Sequence, residues 1–353
     1  MRQTHLMRAA TSLGIQVHDR MPETGIDLVV YSHGTRTIPV LEGRYDDQLR
    51  ARDFFLTEDK YATKLLLDQA GFATPAGFVF QFGGSDCSGS LDRSDRSDEV
   101  DRSGSPGSPG SSDHSEDDAR VHRFAEEVLT EMGGSPVVVK PRDGMRGDAV
   151  RMNLATADAV VAHMSAWRHR FPSWIIEEQV DGHDLRLQIV GDELVAACVR
   201  KPAYVTGDGQ TPLDALIEEH RAKIKAANPG NRLVIDTETE DLLKDQSLEL
   251  KDTPIAGRVV RLKNSANLAK GAVAVDVTDA LHPDFAKWAS SVAELFDTKI
   301  LAIDAICTSP DQPPGANVKI LEVNTAPEWV HHTCSDNGTH DIAARILRYW
   351  FDL

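Results

Sequence analysis

The sequence predicts an α+β (α/β) protein with more than one lobe. Its 353 residues are enough for two or three lobes with substantial hydrophobic cores. Short β-branched runs and amphipathic helical segments interleave along the chain. Because they do not follow the regular βαβ rhythm of a doubly wound sheet, the pattern favours α+β lobes.

Residues 1–55 predict a small N-terminal α/β lobe. Residues 7–13 have the apolar spacing of an amphipathic helix, and residues 26–31 and 37–41 are apolar strand candidates. A helical pattern follows over residues 56–71, and Gly71 stands at the position of a helix stop. We expect a second lobe over residues 56–184 and a third over residues 185–353.

A low-complexity segment interrupts the second lobe. From residue 83 to residue 120 the chain is nearly all Ser, Asp, Gly, Arg and Pro. Such a segment buries too little apolar surface to offset the entropy lost on ordering. Since it falls inside a run of ordered elements, we interpret it as a disordered insertion in a loop and not as a domain boundary.

The rest of the chain predicts further helices and strands. Helical spacing covers residues 121–132, 212–227, 282–296 and 340–351, and strand patterns cover residues 136–140, 174–180, 184–190 and 193–200. Gly191 and Asp192 alone separate the last two strands, which predicts a β-hairpin.

The composition excludes several classes of function. A formal net charge of -17 opposes nucleic-acid binding, which needs a basic surface to neutralise phosphates. No apolar stretch is long enough to cross a bilayer, and residues 1–20 lack the continuous apolar core of a signal peptide. The four cysteines form no CxxC pair. We therefore expect reduced thiols, a cytoplasmic location, and neither a nucleic-acid nor a membrane partner.

A lysine followed by a glycine-containing loop is the first candidate for nucleotide binding. Lys140 ends a β-branched run, and Gly144 and Gly147 follow it. A cation and several backbone N–H groups can surround phosphate oxygens in this way. No GK[ST] sequence closes the loop, so it is not a Walker loop, and a flexible hairpin is the simpler interpretation of these residues alone.

The segment IIEEQVDGHD at residues 175–184 is the second candidate. A strand that runs into an irregular segment exposes backbone donors and acceptors that could pair with an adenine edge. The carboxylate of Asp184 could hold ribose hydroxyls. An ordinary strand and turn explains the same residues, so both interpretations stay open at this point.

Three polar side chains in apolar runs predict a divalent-metal site. Glu322 and Asn324 lie two residues apart, so in a strand both face the same side. Asp304 interrupts the apolar run 300–306, where a buried carboxylate is costly unless a cation or strong hydrogen bonds compensate it. Two carboxylates and an amide offer the oxygen ligands that suit Mg²⁺.

In this order the motifs resemble the ATP-grasp superfamily of carboxylate-amine ligases. The order is a lysine in DKYATK, a lysine in VVVKP with its glycine loop, then IIEEQVDGHD, AIDAI and LEVN. Two more segments, RKPAYVTGDG at 200–209 and NSANLAKG at 264–271 continuing into VDVTDALHP, resemble the branch with the ATP-grasp parts of cyanophycin synthetase and bifunctional glutathione synthetase. The resemblance covers roughly residues 55–353 without the insertion.

The resemblance implies an ATP-grasp fold, with two lobes that clamp ATP, and a set of site residues. Lys60 and Lys140 would contact the ATP phosphates, and Gly144 and Gly147 would lie in the phosphate lid. The residues that would contact the adenine and the ribose are Glu177, Glu178, Val180 and Asp184. The residues that would bind Mg²⁺ or Mn²⁺ between the β- and γ-phosphates are Asp304, Glu322 and Asn324.

The resemblance also implies a two-step reaction. A carboxylate attacks the γ-phosphorus of ATP to give an acyl phosphate, and an amine then displaces phosphate to form an amide. Arg200 and Arg261 stand beside matched motifs and are candidates for gripping the acyl phosphate or the substrate carboxylate. A surface ion pair is the alternative for each. Asn267, inside a matched segment, completes the candidate catalytic set.

The chain departs from the family pattern at two places. Ala149 stands where a third loop glycine is common, and Val330 replaces the arginine of the PG-x-R-x-H pattern, although His332 remains. Because this second region usually shapes the acceptor site, the substrates do not transfer by analogy. The histidines and cysteine of HHTCSDNGTH fit a pocket wall better than a transition-metal site.

Two classes of function stay open. The first is a ligase acting on amino acids or short peptides, with glutathione-type thiol peptide synthesis as an alternative within it. The second is an ATP-binding regulatory protein without ligase activity. Both lysines and all three metal candidates are present, which favours a working enzyme. By family analogy we expect a stand-alone ligase module, a homodimer, and small-molecule carboxylate and amine substrates.

Overall fold

The computed structural model describes residues 2–83, 114–144, 147–227 and 231–353. They divide into two compact units. The first, here called the major unit, comprises Met1–Glu58, Ala62–Ala73 and Asp181–Leu353, and the second, the minor unit, comprises Asp59–Tyr61 and Thr74–Val180. Residues 1–58 thus share one unit with the C-terminal part of the chain. Residues 84–113 of the predicted disordered insertion lie outside the described residues.

The N-terminal part of the major unit contains a three-stranded antiparallel sheet and several helices. The elements are α1 (Arg2–Ser12), β1 (Gln16–Asp19), α2 (Met21–Thr24), β2 (Leu28–His33), β3 (Arg36–Leu41), α3 (Ala51–Glu58) and α4 (Lys60–Gln69, whose first residues belong to the minor unit). The strand order is β1-β2-β3. One face of this sheet is apolar, and Val29, Tyr31, Ile38 and Val40 are buried against Leu6 and its neighbours.

The C-terminal part of the major unit is built on a five-stranded antiparallel sheet. Its elements are β8 (His183–Val190), β9 (Glu193–Lys201), β10 (Tyr204–Thr206), α7 (Leu213–Ala227), α8 (Thr237–Asp245), β11 (Val259–Arg261), β12 (Val273–Asp276), α9 (Asp284–Ala293), β13 (Ile300–Cys307), β14 (Val318–Asn324) and α10 (Ile342–Phe351). The sheet order is β12-β9-β8-β13-β14, and β10 pairs with β11 separately. Short 3-10 helices cover Leu268–Lys270, Thr278–Ala280 and Val330–Thr333.

Strand alternation gives the five-stranded sheet one apolar and one polar face. Leu185, Leu187 and Ile189 point to the face that packs against Phe285 and Val292 of α9. The residues that alternate with them, Asp184, Arg186 and Gln188, point to the opposite face. The first face provides one core, whereas the second carries the charged side chains and also packs through Val190 and Ala196 in the core that includes α10.

The minor unit consists of a four-stranded antiparallel sheet and two helices. Its elements are β4 (Gly77–Gln81), α5 (His114–Glu131), β5 (Val137–Pro141), β6 (Arg151–Leu154), α6 (Ala157–Trp167) and β7 (Ser173–Glu178), with strand order β4-β7-β5-β6. Thr156 caps α6 by accepting a hydrogen bond from the Ala159 N–H. Val121, Val128 and Val160 of the helices pack on Val137 and Ile176 of the sheet.

Several predicted elements are confirmed, and the differences have local causes. Val190 pairs with Glu193 around Gly191 and Asp192, so the predicted hairpin is present, and Gly191 has a φ of +68°. The predicted helix 56–71 is interrupted at Asp59, whose carboxylate accepts a hydrogen bond from the Tyr61 N–H at 3.0 Å. Residues 114–120, which we expected to be disordered, form the first turns of α5.

Candidate active site

The polar face of the five-stranded sheet gathers charged side chains from four adjacent strands. In the ladders, Asp184 of β8 lies opposite Arg200 of β9, and Arg186 of β8 lies opposite Asp304 of β13. Glu322 of β14 lies opposite Asp304 in turn. Side chains directly opposite each other in such a sheet share a face. These residues therefore form one continuous polar cluster.

Asp304 and Arg186 form a buried ion pair at the centre of this cluster. The Arg186 Nη1 donates to both carboxylate oxygens of Asp304, at 2.8 and 2.9 Å. The exposed fractions are only 4% for Arg186 and 2% for Asp304. Burial alone raises the pKa of Asp304, but the charges of Arg186 and Arg200 outweigh it and the pKa is lowered. Asp304 is therefore ionised and held in a fixed orientation.

Arg200 connects Asp184 with Asp304. Its Nε and Nη2 donate to Asp184 Oδ1 at 2.9 and 2.6 Å, and its Nη1 reaches Asp304 Oδ2 at 3.4 Å. Burial raises the pKa of Asp184, and Arg200 offsets this only in part. Asp184, the predicted ribose ligand, is thus hydrogen-bonded to Arg200, the predicted catalytic arginine.

The three metal candidates converge at one point of the sheet. The Asn324 Nδ2 donates to Glu322 Oε1 at 3.2 Å and lies 3.5 Å from Asp304 Oδ2. A bulge in β14 shifts the register between Asp304 and Ala305, and bulges of this kind re-aim side chains beside functional sites.

The donor set fits a hard divalent cation. Two carboxylates and an amide are oxygen donors of the type that Mg²⁺ and Mn²⁺ prefer, and half a turn of the Asn324 amide would present its oxygen. Among the described residues, no group of three or more His, Cys, Asp and Glu side chains forms a metal site. This is consistent with a set that contains only two such residues.

The minor unit brings four of the predicted nucleotide ligands together in two pairs. Lys140 Nζ lies 2.5 Å from Glu177 Oε1, and the two residues are 8% and 4% exposed. The Lys60 ammonium donates to the carbonyl of Gly144. Beside it, Arg142 Nε and Nη2 donate to the Asp59 carboxylate, at 2.9 and 2.5 Å. The ammonium groups of both lysines therefore contact oxygen atoms of this unit.

The other nucleotide candidates of the minor unit are Glu178, Val180 and Gly147. Glu178 Oε1 accepts from the Ala76 N–H at 2.9 Å, and Val180 follows the end of β7 half-buried. Gly147 is exposed with a φ of +69°, and Ala149 has a φ of +52° although it is not a glycine.

Arg261 and Asn267 lie outside the five-stranded sheet, the first on β11 and the second at the start of a 3-10 helix. Arg261 is exposed at the end of β11, where its backbone pairs with the side chain of Gln246. Asn267 caps a 3-10 helix, and its Oδ1 accepts from the Ala269 N–H at 2.8 Å. These contacts give Asn267 a structural role.

Arg186, which fixes Asp304, is not among the site residues predicted from the sequence. The signal was present in Asp184-Leu-Arg-Leu-Gln-Ile-Val190, where polar residues alternate with apolar ones. An arginine and a glutamine on the same face as a functional aspartate indicate that this face is not merely exposed to solvent.

Arg186→Met is expected to destabilise the major unit by about 3–5 kcal/mol, because it leaves the Asp304 charge buried without its main partner. Urea denaturation followed by tryptophan fluorescence measures the change. Arg20→Met is the matched control, since Arg20 pairs with Glu23 at an exposed site and should cost no more than about 1 kcal/mol. A loss in Arg186→Met as small as in this control would contradict the prediction.

Two histidines beside the cluster are held in their neutral form. Burial and the charges of Arg186 and Arg200 lower the pKa of His331 to about 3. Burial and the neighbouring His331 lower the pKa of His332 well below its usual value. The unfolded chain takes up protons on both near pH 6.5, so the folded state loses stability as the pH falls below that value.

His331→Asn is expected to make the acid side of the stability curve less steep. Each such histidine lowers the free energy of unfolding by up to about 1.4 kcal/mol per pH unit below about pH 6.5, until the folded pKa of about 3 is reached. Urea titrations across this range measure the slope. The difference from the unchanged chain isolates His331 from carboxylates that titrate in the same range, and equal slopes would contradict the assignment.

Comparison with known proteins identifies relatives of this chain. No protein-family model matches it. It is 31% identical to the cyanophycin synthetase of Synechocystis sp. over 234 residues, which are 64% of this chain and 27% of that protein. It is 27% identical to the glutathione biosynthesis bifunctional protein GshAB of Clostridium perfringens over 167 residues, which are 46% of this chain and 21% of that protein. The chain thus matches about a quarter of the length of these curated relatives.

A solved structure shares the fold. The bifunctional glutathione synthetase from Pasteurella multocida superimposes with a TM-score of 0.65 over 99% of this chain and 44% of that one, at 17% sequence identity. The relatives and this fold relate the chain to the ATP-grasp superfamily of carboxylate-amine ligases. The relatives that it resembles there are cyanophycin synthetases and bifunctional glutathione synthetases. The predicted α+β class and ATP-grasp fold are confirmed.

Members of this superfamily use ATP, generally with Mg²⁺. Within the described ranges, the helices are all too short or too polar to span a membrane.

Proposed function

We propose that this chain is an ATP-dependent carboxylate-amine ligase that forms an amide or peptide bond through an acyl phosphate and releases ADP and phosphate. The observation that carries the proposal is the convergence of Asp304, Glu322 and Asn324, with Arg200 reaching the Asp304 carboxylate. Oxygen donors for a cation and a guanidinium for an anion thus adjoin each other in a sheet of the shared fold.

The residues of the major unit would bind the metal ion, orient the substrate carboxylate and position these groups. Asp304, Glu322 and Asn324 would hold Mg²⁺ or Mn²⁺, and the bound ion neutralises charge on phosphate oxygens. The guanidinium of Arg200 would orient the substrate carboxylate and stabilise the acyl phosphate, as a preorganised cation can. Arg186 is a positioning residue, because it acts through the Asp304 carboxylate that it holds.

The residues of the minor unit would bind the nucleotide. Lys60 and Lys140 would donate to phosphate oxygens, in exchange for the contacts that they make with Gly144 and Glu177. Gly147, with its positive φ, would let the loop adapt to the phosphates. The proposed contacts with adenine involve Glu177, Glu178 and Val180 of this unit, and the ribose is proposed to contact Asp184 of the major unit. Arg261 and Asn267 stay predictions for the substrate side.

Trapping of the acyl phosphate tests the mechanism. ATP, Mg²⁺ and single amino acids or dipeptides are offered with hydroxylamine, which converts an acyl phosphate to a hydroxamate. A carboxylate labelled with ¹⁸O should transfer one labelled oxygen to phosphate. Mass spectrometry should then find a product one water lighter than a particular carboxylate and amine pair. AMP and pyrophosphate would overturn the mechanism.

Two alternatives have their own outcomes in the same experiment. The relation to GshAB proteins supports a glutathione-type thiol peptide synthetase, which would select a cysteine-containing substrate. ATP binding without turnover on any pair would favour an ATP-binding regulatory protein. The cytoplasmic location and the homodimer are further proposals, and light scattering after size-exclusion chromatography tests the homodimer.

A further inference from the structure

A small polar cavity of the major unit lies outside the cluster described above. It has a volume of about 40 Å³ and is bordered by His220 and Lys223 of α7, by Asn231, and by Cys334 and Asp336. Since one water molecule needs roughly 10–15 Å³, the cavity accommodates about three non-hydrogen atoms. Its size therefore suits the end of a side chain and not a nucleotide.

Asn231, which borders the cavity, carries an acceptor without a partner among the described residues. Asn231 is 5% exposed, and its Oδ1 has no hydrogen-bond partner among the described residues. A buried oxygen in this state is unfavourable, because it has lost its hydrogen bonds to water. A ligand that donates a hydrogen bond in the cavity would remove this cost.

The charges around the cavity favour a cationic donor. Asp336 is fixed, because its backbone N–H donates to the Ala274 carbonyl at 2.9 Å. Lys223 pairs with Asp336 at 3.0 Å, but 66% of the lysine side chain is exposed, so a ligand can replace it. Burial lowers the pKa of His220, which is therefore neutral at neutral pH. The groups that remain to bind a ligand in the cavity are thus the Asp336 carboxylate and the Asn231 amide oxygen.

The walls and the position of the cavity indicate what carries this cation. Ile224, Leu268 and Ala272 give it apolar sides, which suit a methylene stem. Ala274 also borders it and lies directly opposite Arg200 in the ladder of β12 and β9. The cavity therefore begins one strand away from the proposed reacting centre.

We infer that this cavity binds the terminal ammonium group of the amine substrate, which is accordingly a small diamine or an amino acid with a second amino group. The Asn231 Oδ1 and the Asp336 carboxylate accept its N–H groups, and two methylenes of its stem contact the apolar walls. The assignment to a substrate rests on the proposed ligase function, whereas the binding of an ammonium group does not.

Protection of Cys334 tests the binding without ATP or turnover. Cys334 borders the cavity, whereas Cys198 and Cys307 are both 0% exposed and burial raises the pKa of Cys198 to about 12. In a Cys87→Ser chain, iodoacetamide labelling of Cys334 is followed by peptide mass spectrometry. Propylammonium should slow the labelling in a saturable way. Neutral 1-propanol and tetramethylammonium, which has no N–H, should not.

Two variants should change the protection in opposite directions. Asn231→Leu should raise the half-protecting propylammonium concentration by roughly tenfold or more. Lys223→Ala removes the competing ammonium and should lower that concentration by roughly twofold to fivefold. A variant that merely disturbs folding would not improve protection. Equal protection by 1-propanol, or no protection by propylammonium, would overturn the inference.

The substrate assignment has a separate readout. With the amine substrate found in the ligase assay, Asn231→Leu should raise the KM for the amine and leave the KM for ATP unchanged. An unchanged KM for the amine would overturn the assignment. Protection by propylammonium in a chain that ligates nothing would instead refute the ligase function and leave the ammonium site standing.

Discussion

Glu322→Gln is expected to lower ligase turnover by roughly three orders of magnitude, because one of the two carboxylates that would neutralise a divalent cation is lost. Glu322 is only half-buried, whereas Asp304 is buried and bonded to Arg186. The substitution therefore removes a charge from the site with little effect on the core. Rates of ADP formation at increasing Mg²⁺ and Mn²⁺ concentrations measure the effect, and high metal concentrations should recover part of the rate.

Glu193→Gln is the matched control. Glu193 begins β9 with 76% of its side chain exposed and a distance of 3.9 Å to Arg345, so it is far too exposed to hold a cation firmly. This variant should keep full turnover and the same dependence on Mg²⁺. If Glu322→Gln behaved in the same way, the metal site would lie elsewhere and the proposed function would lose its main support.

The fold was predictable from the sequence where patterns are local. The β8–β9 hairpin follows from two strand patterns separated by Gly191 and Asp192, and its register is that of a two-residue loop. In contrast, the sequence pattern does not predict α8. Its capping residue Asp236 accepts from the Thr239 N–H at 3.2 Å, but only Leu242 and Leu243 interrupt its polar sequence. A short helix of this kind depends on packing of a few residues, which local pattern does not reveal.

The candidate site was predictable in its residue types and not in its pairings. An aspartate in the middle of the apolar strand β13 signals a compensating partner, and we expected a cation. The structure supplies Arg186, a residue 118 positions away in the chain. In the same way, Lys140 and Glu177 were both candidates, but their ion pair depends on the register of β5 and β7. Sequence identifies which side chains carry chemistry, and strand register decides which of them meet.

Lys140→Met is expected to lose both stability and turnover, and a second substitution should separate the two effects. Removal of the lysine leaves the buried Glu177 carboxylate without its ion-pair partner, at a cost of about 3–5 kcal/mol. The double variant Lys140→Met, Glu177→Gln removes both charges and should recover most of this loss. Urea denaturation followed by tryptophan fluorescence measures the free energy of unfolding of both variants, since Trp174 is fully buried in the minor unit.

Turnover should not recover in the double variant, because the ammonium group that would contact the ATP phosphates is still absent. One charge-assisted hydrogen bond contributes about 1.5–3 kcal/mol, so ATP affinity should fall by roughly tenfold to a hundredfold in both variants. Calorimetric titration with a non-hydrolysable ATP analogue measures it. Glu177→Gln alone is the control that keeps the lysine, and it should keep more of the affinity. A double variant that is stable and binds ATP normally would reduce Lys140 to a structural residue, because only the ion pair would then explain its burial.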